Sequence, residues 1–334
     1  MNLGTSLMGM ELKNPIIIGS SSLTDSVGNV KKIAKVGAGA VVLKSLYEEQ
    51  ILAETNQPVS KDEMYKSFPE AMEYVHTFSG EEGIANYLEL VKGCKKHVDI
   101  PVIASINCFS MNKWIDFSKE IENAGADAIE LNISIFPKNE QHKSETIENE
   151  YFRIVKAVKE IVKIPIAVKM SSYFTNIRLV AKKIEESGAS ALVLFNRYYR
   201  PDIDIDYLHM VTRDTLSGPE EITLSLRWVG LLSKKLTCDL VASTGIHDAS
   251  GIIKQILAGA KGAQVCSILY ENGIDYIQEL MSEMKAWMNR KGFSTIEDFR
   301  GLINKDPHNT LSWERIHFMK KTSGEIIKPI IHQF

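Results

Sequence analysis

The chain has 334 residues, 44% of them hydrophobic, and a formal net charge of −3. That length and apolar content suit one large α/β domain or two smaller ones, and no Lys/Arg run is dense enough to follow the phosphates of a nucleic acid. Four cysteines (Cys94, Cys108, Cys238, Cys266) stand far apart without a C-x-x-C pair, and no apolar run approaches the ~20 residues that cross a bilayer, so the expected setting is cytoplasmic and reduced, without metal, membrane or nucleic-acid partner.

Residues 3–13 alternate loosely around Met8-Gly9, the pattern of a small hairpin leading into the body. Residues 15–20 read as a first buried strand, followed by a serine-rich turn and a helix over 27–36 that stops at Gly37. The second strand, 40–43, ends at Lys44. Residues 47–83 are long, polar and rich in Glu, with no clean period, which inside a compact domain marks a functional loop or lid. A helix follows to His97, then a third strand over 101–106 that ends at Asn107, then a helix with Asn112 as its N-cap.

The fourth strand, 128–131, is a short apolar run ending at the polar pair Asn132 and Ser134. Helix 144–163 repeats apolar residues on one face, and strand five, 165–168, is followed by Lys169. Helix 175–187 leads to strand six, 191–195, which ends in Asn196-Arg197. Pro219 with Glu220 and Glu221 opens a helix to about residue 235, because proline fits a first turn and acidic side chains favour the positive end of the dipole. Strand seven spans 239–242, Asp248 caps a helix to Ala258, strand eight spans 263–265, and a last helix runs from 273 to 291 with its Met and aromatic side chains read as core.

A Gly-Ala element introduces a strand four times, at Gly37, Gly125, Gly188 and Gly259, as expected where glycine takes the left-handed position that closes a helix. Eight strand-helix units in this length match a (β/α)8 TIM barrel in a single domain, 1–301. An open doubly wound sheet is the runner-up, but Gly19-Ser-Ser-Ser stands where its G-x-G-x-x-G would be. In a barrel the residues just past each strand face one mouth, which gathers Ser20, Lys44, Asn107, Asn132, Lys169, Asn196, Thr244-Gly245 and Cys266-Ser267. Amides that donate to and accept from a heterocycle edge, lysines that stabilise an anionic ring, and small-residue turns that hold a phosphate together suit an FMN-sized ligand.

These residues sit in motifs that resemble the dihydroorotate dehydrogenases and their relatives, FMN-dependent (β/α)8 barrels, over residues 3–301. The motifs are Asn14-Pro15 with Gly19-Ser20, the run 38–45 ending Leu-Lys44-Ser45, Glu130-Leu-Asn-Ile-Ser134, Pro165-Ile-Ala-Val-Lys169, Leu216-Ser-Gly218, Ser243-Thr-Gly-Ile246 and Gln264-Val-Cys-Ser267. The resemblance implies that Gly19, Ser20, Lys44, Ser45, Asn107, Asn132, Lys169, Asn196 and Gly218 line the flavin, that Thr244, Gly245, Cys266 and Ser267 hold its phosphate, and that Lys169 faces the N1/O2 side of the ring. It also implies a CH–CH oxidoreduction on a small molecule such as dihydroorotate, in pyrimidine metabolism. Lys44, Asn132, Asn196 and Arg197 are the expected substrate contacts, and a homodimer is expected.

The sequence departs from that family at two places. The Cys or Ser base that follows the Asn-x-Ser of strand four is Ile135 here, and an alkyl side chain accepts no proton. The family's orotate loop corresponds to residues 75–83, which do not match it. Ser134, Cys108 and His76 are candidate replacements for the base, with Ser134 grouped beside Lys169 as catalytic. A flavin-binding protein without turnover, acting as a binding or regulatory module, is the alternative to an enzyme. Residues 302–334 lie outside the resemblance and are expected to pack on the barrel or on a second subunit.

Overall fold

A computed structural model describes residues 1–48, 83–108, 110–135, 137, 139–198, 200–213, 215–306 and 313. Most of the lid expected at 47–83, including His76 and the segment 75–82, lies outside them, as does most of 302–334.

The chain opens with the expected hairpin, β1 (Thr5–Leu7) and β2 (Met10–Leu12), paired antiparallel. Then follow β3 (Ile16–Ile18), α1 (Val27–Val36), β4 (Ala40–Val42), the short β5 (Leu46–Tyr47), α2 (Gly83–His97), β6 (Val102–Asn107), α3 (Met111–Asn123) and β7 (Ala128–Asn132). The second half holds α4 (Ser144–Ile161), β8 (Ile166–Met170), α5 (Ile177–Glu186), β9 (Ala191–Leu194), a hairpin β10 (Arg200–Asp204) and β11 (His209–Arg213), α6 (Ile222–Leu232), β12 (Asp239–Ser243), α7 (Ala249–Ala258), β13 (Gly262–Val265), α8 (Ser267–Asn272) and α9 (Tyr276–Lys291).

Eight of these strands pair in parallel as a closed ring, β3-β4-β6-β7-β8-β9-β12-β13 and back to β3. The fold is the (β/α)8 barrel. The four Gly-Ala junctions sit where strands begin, with φ of +98° at Gly37, +94° at Gly125, +110° at Gly188 and +116° at Gly259. Each turns the chain out of a helix through a conformation that a Cβ would strain.

Alternate residues of the ring point inward. Ile17, Ala40, Val42, Ile103, Ala128, Ala167, Ala191, Val193 and Val241 form one buried cluster, and Leu7 and Leu12 of the N-terminal hairpin belong to it. The hairpin therefore plugs one end of the barrel with apolar side chains. The other parity packs against the helices, as with Ile129, Leu131, Val168 and Leu192, in the larger cluster that also takes in Met284 and Met288 of α9. The last helix is core, as its composition implied.

Local boundaries differ from expectation where short-range hydrogen bonding decides them. The helix after β6 starts at Met111 with Ser110, not Asn112, at the N-cap. Pro219 opens a single 3-10 turn (Pro219–Glu221) before α6 begins at Ile222, because Glu221 folds back onto the Gly218 amide at 2.9 Å. The expected final helix is observed as α9, starting at Tyr276, and a short helix not expected from the sequence, α8, precedes it and ends at Gly273 with φ +83°. The β10–β11 hairpin has no counterpart in the expected elements.

Beyond residue 301 the described chain docks on the barrel's helices. The Asn304 amide is buried and donates to Gly230 O at 3.2 Å, Ala258 O at 2.7 Å and Ser233 Oγ at 2.7 Å. Gly230 and Ala258 lie in the last turns of α6 and α7, whose carbonyls have no partner within the helix. Trp313 Nε1 donates to Asn304 Oδ1 at 2.9 Å, and the indole lies so close over Gly230 that a Cβ there would come within 2.5 Å of it. Asn304→Ala strips two buried carbonyls of their donor and is expected to cost about 2 kcal/mol, read as a lower urea midpoint with an unchanged far-UV spectrum.

Candidate active site

The C-terminal ends of the strands surround a cavity of about 920 Å³, opposite the end that the hairpin plugs. Its lining brings together Ser20, Lys44, Ser45, Asn132, Lys169, Asn196, Arg197, Thr244, Gly245, Cys266 and Ser267, residues that the sequence scatters from position 20 to position 267. Gly19, Asn107, Gly218 and Ser134 do not line it. Gly19 lies directly behind the lining, where an added Cβ would meet Cys266 Sγ at 2.8 Å. Asn107 is buried at the end of β6, opposite Tyr47 in the β5 register. Gly218 donates its amide to Glu221.

Each wall has its own chemistry. On one side Ser45 donates its backbone N–H to Ser20 Oγ at 2.8 Å, and the Ser45 hydroxyl lies 3.1 Å from Ser20 Oγ and 2.8 Å from the buried Ser105 Oγ. This hydroxyl chain fixes the strand end that carries Lys44. Burial pushes the Lys44 ammonium below the usual lysine value, and the attraction of Asp25 offsets only part of that.

Across the mouth, Asn196 Nδ2 donates to Asn132 Oδ1 at 2.7 Å. The pair leaves an NH2 on Asn132 and a carbonyl on Asn196, one donor and one acceptor for a heterocycle edge. Lys169 forms part of the floor. Its ammonium donates to Gln264 Oε1 at 3.4 Å and lies 3.8 Å from Glu130 Oε1. Cys266 is part of the same surface, and burial pushes its thiol up despite the pull of Lys169, so it stays protonated as a packing group.

The turn after β12 forms a polar cradle. Thr244 and Gly245 both take left-handed φ, +76° and +74°, an unusual conformation for the β-branched Thr244. A Cβ at Gly245 would stand 2.1 Å from Ile222 N, so no other residue fits there without moving α6. The Ser217 hydroxyl reaches Ser267 Oγ at 2.9 Å, His247 Nε2 at 3.2 Å and the Gly245 N–H at 3.4 Å. Successive backbone amides and hydroxyls of this kind suit a phosphate. Ser217 and His247 have no role assigned from the sequence; Ser217 was signalled only by the Leu216-Ser-Gly218 motif, and His247 by none.

The residues expected to supply a base are placed as follows. Ser134 Oγ lies 3.0 Å from Tyr198 OH, and the Tyr198 ring is tilted against Tyr173 at 5.5 Å. Ile135 packs on the core from a half-buried position. Cys108 is buried. The Arg197 guanidinium lines the cavity, yet it binds Glu221 through Nε at 3.1 Å and the carbonyls of Thr215 and Leu216 at 3.2 and 3.0 Å. Arg200 joins Glu221 at 3.0 Å. Arg197 thus braces the turn that follows the β10–β11 hairpin as well as facing the cavity.

The family model described as dihydroorotate dehydrogenase matches residues 2–288. Among curated proteins the chain is 27% identical over 320 residues to the "Dihydroorotate dehydrogenase B (NAD(+)), catalytic subunit" of Thermoplasma volcanium, covering 91% of this chain and 99% of that one. Proteins of the same description from Methanocaldococcus jannaschii and Pyrococcus furiosus are each 27% identical, covering 91% of this chain and 98% and 100% of theirs.

The clamp at Glu221 sets a pH dependence. Burial alone would raise its carboxyl, but the Arg197 hydrogen bond, the Gly218 amide and the two guanidinium charges outweigh burial and hold it below the ordinary 4.5. A carboxylate depressed in the folded state contributes stability that is fully present above 4.5 and is lost as the pH falls toward the depressed value. Glu221→Gln is therefore expected to lower stability by roughly 1–3 kcal/mol near pH 7. The difference from the unsubstituted chain should shrink progressively as the pH falls below 4.5 in urea titrations.

Proposed function

The chain belongs to the dihydroorotate dehydrogenase family, and from that premise we propose that it is an oxidoreductase whose cofactor is FMN and whose substrate is a small anion with a CH–CH bond beside a carbonyl. The observation that carries the reading is the convergence of Lys44, Asn132, Lys169, Asn196 and the 244–245 turn on one cavity. Its volume of about 920 Å³ lies at the upper end for ligand sites, room for a cofactor with a small substrate beside it.

The residues present fit a flavin mononucleotide. The left-handed Thr244-Gly245 turn with the Ser217 and Ser267 hydroxyls suits its phosphate, the Asn132–Asn196 pair offers a donor and an acceptor to a ring edge, and Lys169 supplies positive charge where a reduced ring carries negative charge. When bound, the flavin supplies hydride acceptance and electron transfer. The chain's own residues bind and orient. Lys44, held on the serine-braced wall, attracts an anionic substrate; the bonded Asn132–Asn196 pair presents its remaining donor and acceptor to one ring edge; the Arg197–Glu221 clamp holds the cavity wall in place.

Proton removal is assigned to Ser134, the neighbour of the family's base position at Ile135; its hydroxyl is 3.0 Å from Tyr198 OH, just outside the cavity lining. The relatives' name, catalytic subunit of an NAD(+) enzyme, supports a companion subunit as the electron acceptor. Four free cysteines favour a cytoplasmic setting, and the exposed apolar side chains of the hairpin, Ile203, Tyr207, Leu208 and Met210, supply surface that a homodimer would bury. Among the described residues no helix is long and apolar enough to cross a membrane.

Ile135 favours a second reading, a chain that binds flavin but does not oxidise dihydroorotate, because the position that would take its proton is alkyl. Anaerobic mixing separates the two: bleaching of the flavin band by dihydroorotate supports the dehydrogenase, whereas a flavin that only other reductants bleach points to another substrate. Ile135→Cys is expected to speed bleaching by dihydroorotate at least about a hundredfold if the rest of the site is adapted to that substrate. Lys169→Ala is expected to slow flavin reduction far more than it weakens flavin binding, measured by stopped flow and by fluorescence titration. Equal losses in both would argue against its role at the ring.

A further inference from the structure

Inside the barrel, one layer below the cavity, lies a charged group that the reading above leaves without a task. Glu130 is on β7, two residues before Asn132 and of the same inward parity, and is 1% exposed. It does not line the cavity. Its Oε2 accepts from Gln264 Nε2 at 2.5 Å, while its Oε1 accepts no hydrogen bond and lies 3.8 Å from Lys169 Nζ. Gln264 Oε1 in turn accepts from Lys169 Nζ at 3.4 Å. The amide is oriented by both neighbours at once, its NH2 toward the carboxylate and its carbonyl toward the ammonium.

A buried carboxylate with one oxygen unbonded is costly, and its presence next to the barrel's aliphatic inner cluster calls for a compensating charge. Lys169 is that charge, and it is also part of the cavity floor. We propose that Glu130, acting directly and through Gln264, is a positioning residue that holds the Lys169 ammonium at the cavity floor and offsets part of the positive charge that a bound flavin meets there. The proposal rests on the flavin reading for its consequence, and on the three side chains alone for the coupling.

The coupling is tested first in flavin-free protein by urea unfolding. Lys169→Met leaves the Glu130 carboxylate buried without its counter-charge, so a clear drop in midpoint is expected. Adding Glu130→Gln to Lys169→Met removes the stranded charge while keeping the side chain's shape, and most of the drop should be recovered. A double variant no more stable than Lys169→Met overturns the pairing, whatever the cavity binds.

The consequence is tested by the reduction potential of FMN bound to the full-length protein, equilibrated against a reference dye. Glu130→Gln frees the Lys169 charge, so the reduced-to-oxidised ratio at fixed potential should rise about tenfold, about 30 mV for a two-electron couple. In the Lys169→Ala background the same substitution should produce a smaller rise, the part due to the carboxylate charge alone, because no ammonium is left to be freed. A potential unmoved by Glu130→Gln, or moved equally with and without Lys169, overturns the electrostatic role. Recovery in the unfolding series from a protein that holds no FMN overturns the flavin reading and this role together, while the pairing stands.

Discussion

Closure of the parallel sheet is the constraint from which the site follows. The register of β13 on β3, with Gln264 opposite Ile17, completes a ring in which each strand's phase is fixed by both neighbours. A slip of one residue in any strand would turn its inward side chains out, so parity holds all the way round. Asn132 pairs across to Lys169, Lys169 to Val193, and Val193 to Val241, and all of these side chains are on the inner face. A ring of this kind sorts side chains by height as well as by face.

The sorting is visible along the barrel axis. At one end the N-terminal hairpin closes the interior with Leu7 and Leu12 against Ala40, Ala128, Ala167 and Ala191, small inward residues that leave room for the plug. One layer further, Ser105, Glu130, Lys169 and Gln264 replace aliphatic side chains, and each has a polar neighbour in the layer or in the wall above it. At the far end the cavity opens among hydroxyls, amides and lysines. The apolar plug excludes water from below, which lowers the local dielectric and strengthens the Glu130–Lys169 interaction relative to the same pair at a surface. The functional end is thereby supported by the most rigid part of the molecule.

The Gly-Ala junctions helped make the barrel legible in the sequence, because each encodes both a left-handed helix stop and the start of a strand buried on two faces, and their four recurrences reinforced a count of eight read from the strand-helix alternation. Lys44, Asn132, Lys169 and Asn196 were legible for the same reason: a strand's last residue needs no tertiary information to be placed at the mouth. Glu130 and Gln264 were passed over, although a charge and an amide inside apolar strands are themselves a signal. Their inward parity became decisive only once each strand's phase was known from its neighbours. The β10–β11 hairpin escaped because its stabilising contacts are cross-strand pairs such as Ile203 with Met210, set by a turn rather than by a period along either strand alone. The role of Arg197 was half visible: its position followed from strand six, but its bond to Glu221 depends on the local fold-back at Gly218.

The distribution of charge argues for an anionic occupant. Among the described residues Lys44, Lys169 and Arg197 face the cavity, and two carboxylates just outside its lining are each committed to one of them, Glu130 to Lys169 and Glu221 to Arg197. Lys44 is different: its carboxylate neighbour Asp25 acts on it more weakly than burial does. A partly buried ammonium gains from an incoming negative charge, because the desolvation cost has already been met by the fold. The site is therefore built so that two of its cations, Lys169 and Arg197, are held from behind by carboxylates, while Lys44 is carried on the serine-braced wall at the mouth.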